Sequence, residues 1–249
     1  MTTSHSQTKD YLLGGRVEIA QPDEGYRVSI DAVFLAAAVA PKAGARVLDV
    51  GCGDGGATLC LAWRASETRI DGLDLRPDAI DRFSDSVERN GWSDRVHGFV
   101  HDIAEGPPDR FDMACDWVIS NPPYLPAERM DHRDRGGALN PGTTETMPLS
   151  QWIAFMAGCL KDGGNFAVVH RADRITDLLA ALSLHAGDIK VFPLWPRTGV
   201  SAKRVIVTAR KGARGPAEIL GGLVLHDDDG GFTRAAQEVL NEGQALMPD

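Results

Sequence analysis

The stretch VLDVGCGDGG, from Val47 to Gly56, decides the fold of this 249-residue chain. Its apolar first half predicts a short buried strand, and its glycines predict a sharp turn into a helix that begins near Ala57. Glycine allows positive φ and lets the backbone approach a ligand without a Cβ in the way. The stretch therefore predicts a strand, a ligand-binding loop and a helix.

Short apolar runs alternate with segments of helical period along most of the chain, which is typical of a mostly parallel sheet wound on both faces. The predicted strands are Arg46–Val50, Arg69–Leu73, Val96–Val100, Trp117–Ser120, Asn165–His170, Lys190–Leu194 and Arg204–Ala209. The predicted helices are Ala57–Arg64, Pro77–Asn90, Leu149–Leu160 and Ile175–His185. The segment between the last two strands is too short for a crossover helix, so these strands are expected to form an antiparallel edge hairpin. The predicted fold class is therefore α/β, with a seven-stranded, doubly wound, Rossmann-like sheet.

Three parts of the chain are distinguished by their patterns. Residues 1–11 are polar and are expected to be a disordered tail. Residues 12–44 are expected to be an extension that packs on the core, with a strand at Val17–Ala20 and a helix from about Ser29 or Asp31. Residues 45–249 form the main domain, which contains a long polar loop at Glu128–Pro148. Loops of that length are usually functional or disordered.

Composition argues against several classes of protein. Lys and Arg number 26 against 35 Asp and Glu, so the net charge is 26 − 35 = −9, which argues against non-specific binding to nucleic acid or to an anionic membrane. The longest apolar run, Ala32–Ala40, is far shorter than the roughly 20 residues of a membrane helix. The polar N-terminus does not resemble a secretory signal, and the four cysteines form no Cys-x-x-Cys pair. Free thiols, a cytoplasmic location and no metal site are expected.

The glycines also fit a dinucleotide-binding pattern. Gly51, Gly53 and Gly56 satisfy G-x-G-x-x-G, and Asp74 ends the next predicted strand, so an NAD-type oxidoreductase is an alternative. Asp49 argues against it, because a carboxylate so close to the loop would repel a pyrophosphate. The same carboxylate suits a ligand that carries an ammonium group.

The pattern VLDVGCGDG resembles the first motif of class I S-adenosylmethionine-dependent methyltransferases. The resemblance implies a Rossmann-like methyltransferase domain in which the glycine loop holds the methionine part of S-adenosyl-L-methionine. It implies that Asp74 holds the ribose hydroxyls, that Leu75 covers the adenine and that Asp102 meets the adenine amino group. Asp74 and Asp102 could instead be surface carboxylates that cap helices. The implied cofactor-binding residues are Asp31, Asp49, Gly51, Cys52, Gly53, Asp74, Leu75, Asp102, Ile103 and Asn121. For Asp31, a place in a helix packed behind the cofactor is the equal alternative.

The candidate catalytic residues are Asn121, Pro122, Pro123 and Tyr124, which follow the fourth predicted strand. The Asn121 side-chain oxygen and the Pro122 carbonyl can each accept a hydrogen bond from a planar NH₂ group, which orients its nitrogen and draws it toward tetrahedral geometry. The prolines keep the two acceptors rigid, and Tyr124 offers an aromatic face for a base to stack on. The nitrogen lone pair can then attack an electrophilic methyl group, a reaction driven by positioning rather than by a strong base.

The segments before the glycine loop and toward the C-terminus narrow the choice of candidate substrate. LLGGRVEIAQPDEGYRVSIDAVFLAA, HRADR, LWPRTGVSAKRVIVTARKG and LVLHDDDGGFT resemble the bacterial tRNA(Val) adenine N6-methyltransferase family. The resemblance implies methylation of the N6 amine of an adenine in RNA, with tRNA as the substrate. The tetrapeptide alone also fits a protein glutamine N5-methyltransferase or an rRNA guanine N2-methyltransferase. A His-Glu pair common in the tRNA family after the tetrapeptide is replaced here by ALNPGTTETMP.

A basic stretch gives a separate indication of an RNA partner. The segment Ile189–Ala217 contains no acid, and its cations are Lys190, Arg197, Lys203, Arg204, Arg210, Lys211 and Arg214. This pattern predicts either a solvated basic hairpin or an edge that contacts phosphates. Arg171, Arg174, Arg133 and Arg135 are expected to extend that edge, and the Glu128–Pro148 loop is a candidate lid over a base turned out of its stack.

Overall fold

A computed structural model describes residues 7–23, 27–123, 125–126, 144–145 and 147–246. Residues 1–6 of the predicted tail, Tyr124, Arg133, Arg135 and nearly all of the predicted lid loop lie outside the described residues. The strands are β1 (Gln7–Leu12), β2 (Val17–Pro22), β3 (Arg46–Val50), β4 (Arg69–Asp74), β5 (Val96–Val100), β6 (Cys115–Ser120), β7 (Leu125–Pro126), β8 (Thr144–Glu145), β9 (Leu160–Arg171), β10 (Ala186–Trp195), β11 (Arg204–Lys211), β12 (Glu218–Ile219) and β13 (Leu223–Val224).

Nine of these strands form the central sheet, in the order β12-β10-β11-β9-β6-β3-β4-β5, with β13 also beside β10. Strands β9, β6, β3, β4 and β5 run parallel, whereas β11 is antiparallel to β9 and β10 is antiparallel to β11. The seven long strands are the seven that the sequence predicts, and β12 and β13 add two residues each. The predicted fold class, including its antiparallel edge hairpin, is confirmed.

Helices cover both faces of the sheet. They are α1 (Ile30–Ala37), α2 (Gly56–Arg64), α3 (Pro77–Arg89), α4 (Leu149–Cys159), α5 (Ile175–Ser183) and α6 (Arg234–Glu242). Neighbouring residues of one strand enter different cores: Val47 packs with α1, α2, α3 and α6, and Leu48 packs with α4 and α5. Because a strand buried on both faces needs apolar residues at successive positions, these strands read as continuous apolar runs.

The N-terminal extension differs from its prediction. Gln7–Leu12 forms β1, which pairs antiparallel with β2, so the expected disordered tail over residues 1–11 is wrong for residues 7–11. Strand β2 is tied to α3, since the Ser86 hydroxyl accepts the Ala20 N–H at 2.9 Å and the Asn90 side chain accepts the Glu18 N–H at 3.0 Å. The first four residues of β1 are all polar, so the sequence shows no alternation that would predict a strand there.

The edge hairpin consists of β10 and β11 and runs the length of the sheet, from the carboxyl ends of the parallel strands to their amino ends. Arg204, the first residue of β11, pairs with Arg171 at the carboxyl end of β9. Arg210, near the end of β11, pairs instead with Asn165, closer to the start of β9. The register therefore separates the cations of the basic stretch into two groups.

Candidate functional site

The loop after β3 has the backbone that its glycines predict. Gly51, Gly53 and Gly55 have φ of 72°, 56° and 88°, in the left-handed region that favours glycine. The N–H groups of Gly51 and Cys52 both donate to the Leu73 carbonyl, at 2.8 and 2.9 Å, and so fix the loop to β4. The glycines give the loop its shape, and β4 holds it in place.

A cleft that is partly open to solvent lies at the carboxyl ends of β3, β4, β5 and β6. Nine of the ten predicted cofactor residues line it: Asp49, Gly51, Cys52, Gly53, Asp74, Leu75, Asp102, Ile103 and Asn121. Pro123 of the predicted catalytic tetrapeptide lines it as well. Residues from four separate strand ends thus meet where open α/β sheets bind ligands.

Asp49 is the most deeply buried acid of the cleft. Its side chain is 2% exposed, and the Thr58 hydroxyl donates to its Oδ2 at 2.7 Å. Burial raises the pKa of Asp49 to about 7, the Thr58 hydrogen bond opposes this rise, and the charge of Asp74 adds to it. A buried carboxylate with one hydroxyl donor can be stabilised further by a positive group on a ligand.

Asp74 joins the glycine loop to the start of α3. Its Oδ2 accepts the Gly53 N–H at 2.8 Å, and its Oδ1 accepts both the backbone N–H and the Nε–H of Arg76, at 3.0 and 3.1 Å. Leu75, the next residue, is 59% exposed although it is large and apolar. A carboxylate beside an exposed apolar side chain is a pairing suited to a ribose and its planar base.

Asp102 follows β5 and has a local role that the sequence left open. Its Oδ1 accepts the Ala104 N–H at 2.9 Å and so caps the short 3₁₀-helix Ile103–Glu105. The side chain also lines the cleft. The cap holds one carboxylate oxygen and orients the other, so the capping and binding readings are compatible.

The catalytic candidates lie directly after β6. Asn121 is half-buried in the cleft, Pro122 is buried behind it and Pro123 faces the cleft. Tyr124 lies outside the described residues. The parallel pairing of β6 with β3 places Ser120 opposite Val50, so the tetrapeptide begins level with the glycine loop.

Asp31 is placed differently from the other cofactor candidates. It lies in the first turn of α1, 7% exposed, and its Oδ2 accepts the Arg204 Nε–H at 2.9 Å. Its neighbours Ser29 and Ala32 line the cleft, whereas Asp31 is not among the described lining residues. The observed ion pair connects α1 with the edge hairpin, and a cofactor contact by Asp31 stays a prediction.

Trp152 and Asp54, which line the cleft, and Arg82, which pairs with Asp54, were not predicted from the sequence. Trp152, on the first turn of α4, donates its Nε1–H to the Ser120 hydroxyl at 2.9 Å and also lines the cleft. Arg82, 8% exposed, pairs with the buried Asp54 of the glycine loop at 2.9 Å. Burial raises the pKa of Asp54 and the charge of Arg82 opposes that rise. No local motif marks these residues, because each contact joins elements far apart in sequence.

The basic stretch is divided between the two ends of the sheet, which corrects the expectation of one basic edge. Arg197, Lys203 and Arg204 lie at the cleft end of the hairpin, and Arg171 and Arg174 lie near them at the carboxyl end of β9. Lys190, Arg210, Lys211 and Arg214 lie toward the other end, where the Lys211 ammonium donates to the Ala157 and Leu160 carbonyls. The acidic turn Asp227–Gly230 also lies near Arg197.

Metal, disulfide and membrane features were also sought in the described part of the chain. No group of three or more His, Cys, Asp or Glu residues in those ranges could hold a metal ion. The four cysteines are buried and free. Among the helices of the described segments, none has the length and apolar character to span a membrane.

Comparisons with known proteins agree with this geometry. Residues 26–135 match the family model described as the methyltransferase small domain. The structure superposes on a predicted O-methyltransferase from Agrobacterium tumefaciens with a TM-score of 0.73 and 24% identity, covering 87% of this chain and 98% of that one. This chain has the methyltransferase fold. A SAM-dependent O-methyltransferase from Thermotoga maritima is similar too, with a TM-score of 0.55, 22% identity and coverage of 77% and 68%.

One curated relative shares more sequence over a shorter segment. The tRNA1(Val) (adenine(37)-N6)-methyltransferase of Yersinia pestis (strain Pestoides F) is 38% identical over 103 residues, which is 40% of this chain and 40% of that protein. The chain thus matches about two fifths of the length of this relative. The resemblance to S-adenosylmethionine-dependent methyltransferases that the sequence predicts is confirmed by the family model and the fold.

Proposed function

We propose that this protein transfers a methyl group from S-adenosyl-L-methionine to the exocyclic N6 amine of an adenine in tRNA. The observation that carries the proposal is the position of Asn121 and Pro123 in one cleft with Asp49, Asp74 and the glycine loop. This arrangement brings a rigid acceptor for a planar amine to the place where a methyl donor fits.

The described residues fit the cofactor. Asp74 and Leu75 would hold the ribose and cover the adenine, Asp102 would meet the adenine amino group, and Asp49 would face the methionine end with its ammonium group. Gly51 and Gly53 keep the floor of the cleft free of side chains. When bound, S-adenosyl-L-methionine supplies a methyl group on a positively charged sulfur.

The chain's own residues position the amine. The Asn121 side-chain oxygen and the Pro122 carbonyl accept the two N–H groups, and the fixed φ of proline limits their movement. As the new N–C bond forms, the C–S electron pair stays on sulfur and the amine loses one proton to solvent. Orientation and electrostatics supply the rate enhancement.

The cations at the cleft end of the hairpin support an RNA substrate. Arg197 and Lys203 are exposed there, and phosphate contacts by such residues position a nucleic acid without reading its sequence. The 38% identity to a tRNA adenine methyltransferase supports the same substrate class. A protein glutamine methyltransferase would have less need of these cations.

The proposal is tested by incubating the full chain with methyl-labelled cofactor and total tRNA, followed by mass spectrometry of the nucleosides. Label in N6-methyladenosine is expected. Label in N2-methylguanosine, or in protein when an extract is supplied, would show that the acceptor is a planar NH₂ group other than adenine N6. Asn121→Ala tests the role of the amide: it is expected to transfer at least 100-fold more slowly, and to weaken S-adenosyl-L-homocysteine binding by less than about tenfold because the rest of the cofactor site is kept. In a thermal-shift assay, stabilisation by NAD rather than by S-adenosyl-L-homocysteine would overturn the cofactor assignment.

A further inference from the structure

Trp152 lies between the two loops that the proposed reaction must align. On one side its ring packs against Gly51, so closely that a Cβ added to Gly51 would lie 2.8 Å from the ring carbon Cζ2. On the other side its Nε1–H donates to the Ser120 hydroxyl at 2.9 Å. One side chain therefore contacts both the first glycine of the cofactor loop and the residue before Asn121.

The Ser120 hydroxyl continues this connection. It is fully buried and donates to the Val50 carbonyl at 2.7 Å while it accepts from Trp152. Val50 directly precedes Gly51, just as Ser120 directly precedes Asn121. The two hydrogen bonds thus join α4, the end of β6 and the end of β3 at the point where both loops begin.

The donor and acceptor properties of these groups fix the direction of both hydrogen bonds. An indole N–H can only donate, so Ser120 must accept from it and is left with its own proton for Val50. A phenylalanine at position 152 would remove the donor and also the outer ring carbons Cζ2 and Cη2 that lie nearest Gly51. An alanine at position 120 would remove both hydrogen bonds at once.

We propose that Trp152 and Ser120 are positioning residues that set the distance between the glycine loop and Asn121. This inference rests on the proposed function, because it assigns the pair to the alignment of methyl donor and amine. Neither residue needs to touch a reacting atom. An error of about 1 Å in such an alignment can cost roughly 100-fold in rate.

The test compares Trp152→Phe, Ser120→Ala, Ser120→Thr and the Phe/Ala double variant with the wild type. The measurements are kcat at saturating cofactor and acceptor, the Kd for S-adenosyl-L-homocysteine, and Tm. Trp152→Phe and Ser120→Ala are expected to lower kcat by about 10- to 100-fold and to change Kd less than threefold. Ser120→Thr, which keeps a hydroxyl, is expected to retain most of the activity. The double variant is expected to be no slower than the slower of its two single variants, because both changes disrupt the same pair of hydrogen bonds.

Trp63→Phe is the matched control, since Trp63 lies on α2, outside the residues that line the cleft, and packs against Gly243. It loses an indole N–H too and is expected to leave kcat unchanged. The inference would be overturned if both Trp152→Phe and Ser120→Ala had the wild-type kcat. It would also be overturned if weaker cofactor binding and a lower Tm accounted for the fall in kcat. The acceptor is whichever substrate the wild type methylates, tRNA or protein. A failure of the tRNA proposal is therefore seen in the wild type and a failure of the positioning role in the variants.

Discussion

Asp49 is expected to make the binding of S-adenosyl-L-homocysteine depend on pH. The carboxyl group is 2% exposed, and burial raises its pKa to about 7. Only the ionised form attracts the ligand's ammonium group, so protonation of Asp49 weakens binding. With one titrating group, Kd is proportional to 1 + [H⁺]/Ka, where Ka is the acid constant of Asp49 in the free protein. The Kd at pH 6 is then about tenfold the Kd at pH 8, with most of the change below pH 7.

Isothermal titration calorimetry at pH 6, 7 and 8 and constant ionic strength measures this dependence. Asp49→Asn keeps the shape of the side chain and removes its titration, so its Kd is expected to be the same at all three values. His101 also lines the cleft, and His101→Asn is expected to keep the wild-type dependence. A flat wild-type profile, or an equal slope in Asp49→Asn, would refute the reasoning.

The same carboxyl group affects folding in the opposite direction. Its folded-state pKa of about 7 lies above the ordinary value of 3.8, so the folded protein holds an extra proton between these pH values. The free energy of unfolding therefore falls as pH rises from about 4 to 7, by an upper limit of about 4 kcal/mol. The difference in Tm between Asp49→Asn and the wild type is therefore expected to shift in favour of the variant as pH rises from 5 to 8. An equal difference in Tm at both values would contradict this assignment.

Three further substitutions test other parts of the site. Gly51→Ala is expected to destabilise the protein by about 1–3 kcal/mol more than Gly91→Ala in urea unfolding, because both glycines have φ near 72° and only Gly51 has the Trp152 ring against it. Asp74→Asn is expected to weaken S-adenosyl-L-homocysteine binding about 10- to 100-fold by calorimetry, since hydrogen bonds to a charged group are lost. Arg197→Glu with Lys203→Glu is expected to raise KM for tRNA at least tenfold and to reduce its salt dependence, with cofactor Kd unchanged; an equal effect of the far-end control below would contradict this.

The control for the last prediction is Lys190→Glu with Arg214→Glu. These residues belong to the same basic stretch and the substitution changes net charge by the same amount, but they lie toward the opposite end of the hairpin. An unchanged KM is expected. The pair of variants therefore separates a local phosphate contact from a general effect of charge.

The sequence predicts the elements of this fold well because the inner strands, such as β3, are buried on both faces. A run such as Val47 to Val50 needs apolar residues for two cores, and the glycines after it have few alternative conformations. The cleft residues follow from the same pattern, since carboxyl ends of parallel strands meet at one edge. Local signals thus fixed the strands, the glycine loop and most of the predicted pocket.

Contacts between distant segments were not predictable in the same way. The Asp31 to Arg204 pair spans most of the chain, and the Trp152 bond to Ser120 crosses the long loop between β6 and α4. The run of polar residues in β1 resembles a disordered tail, and only its pairing with β2 shows that it is a strand. The division of the basic stretch follows from the register of β10 and β11, which charge alone does not encode.

The net charge of −9 conceals two regions of opposite charge, the acidic cleft and the basic end of the hairpin, that the topology keeps apart. Asp49 and Asp54, of β3 and its glycine loop, meet Asp74 of β4 in the cleft. Arg76 and Arg82 of the α3 region compensate these three acids only in part. A cofactor with a positive sulfur and an ammonium group is attracted to this floor, and a phosphate backbone is repelled from it. In the proposed function, the cations at the cleft end of the hairpin hold a polyanion beyond that floor while a single base reaches in. In that proposal the acids that line the cleft face the cofactor and the exposed Arg197 and Lys203 face the phosphates, so a chain of net negative charge can act on a nucleic acid.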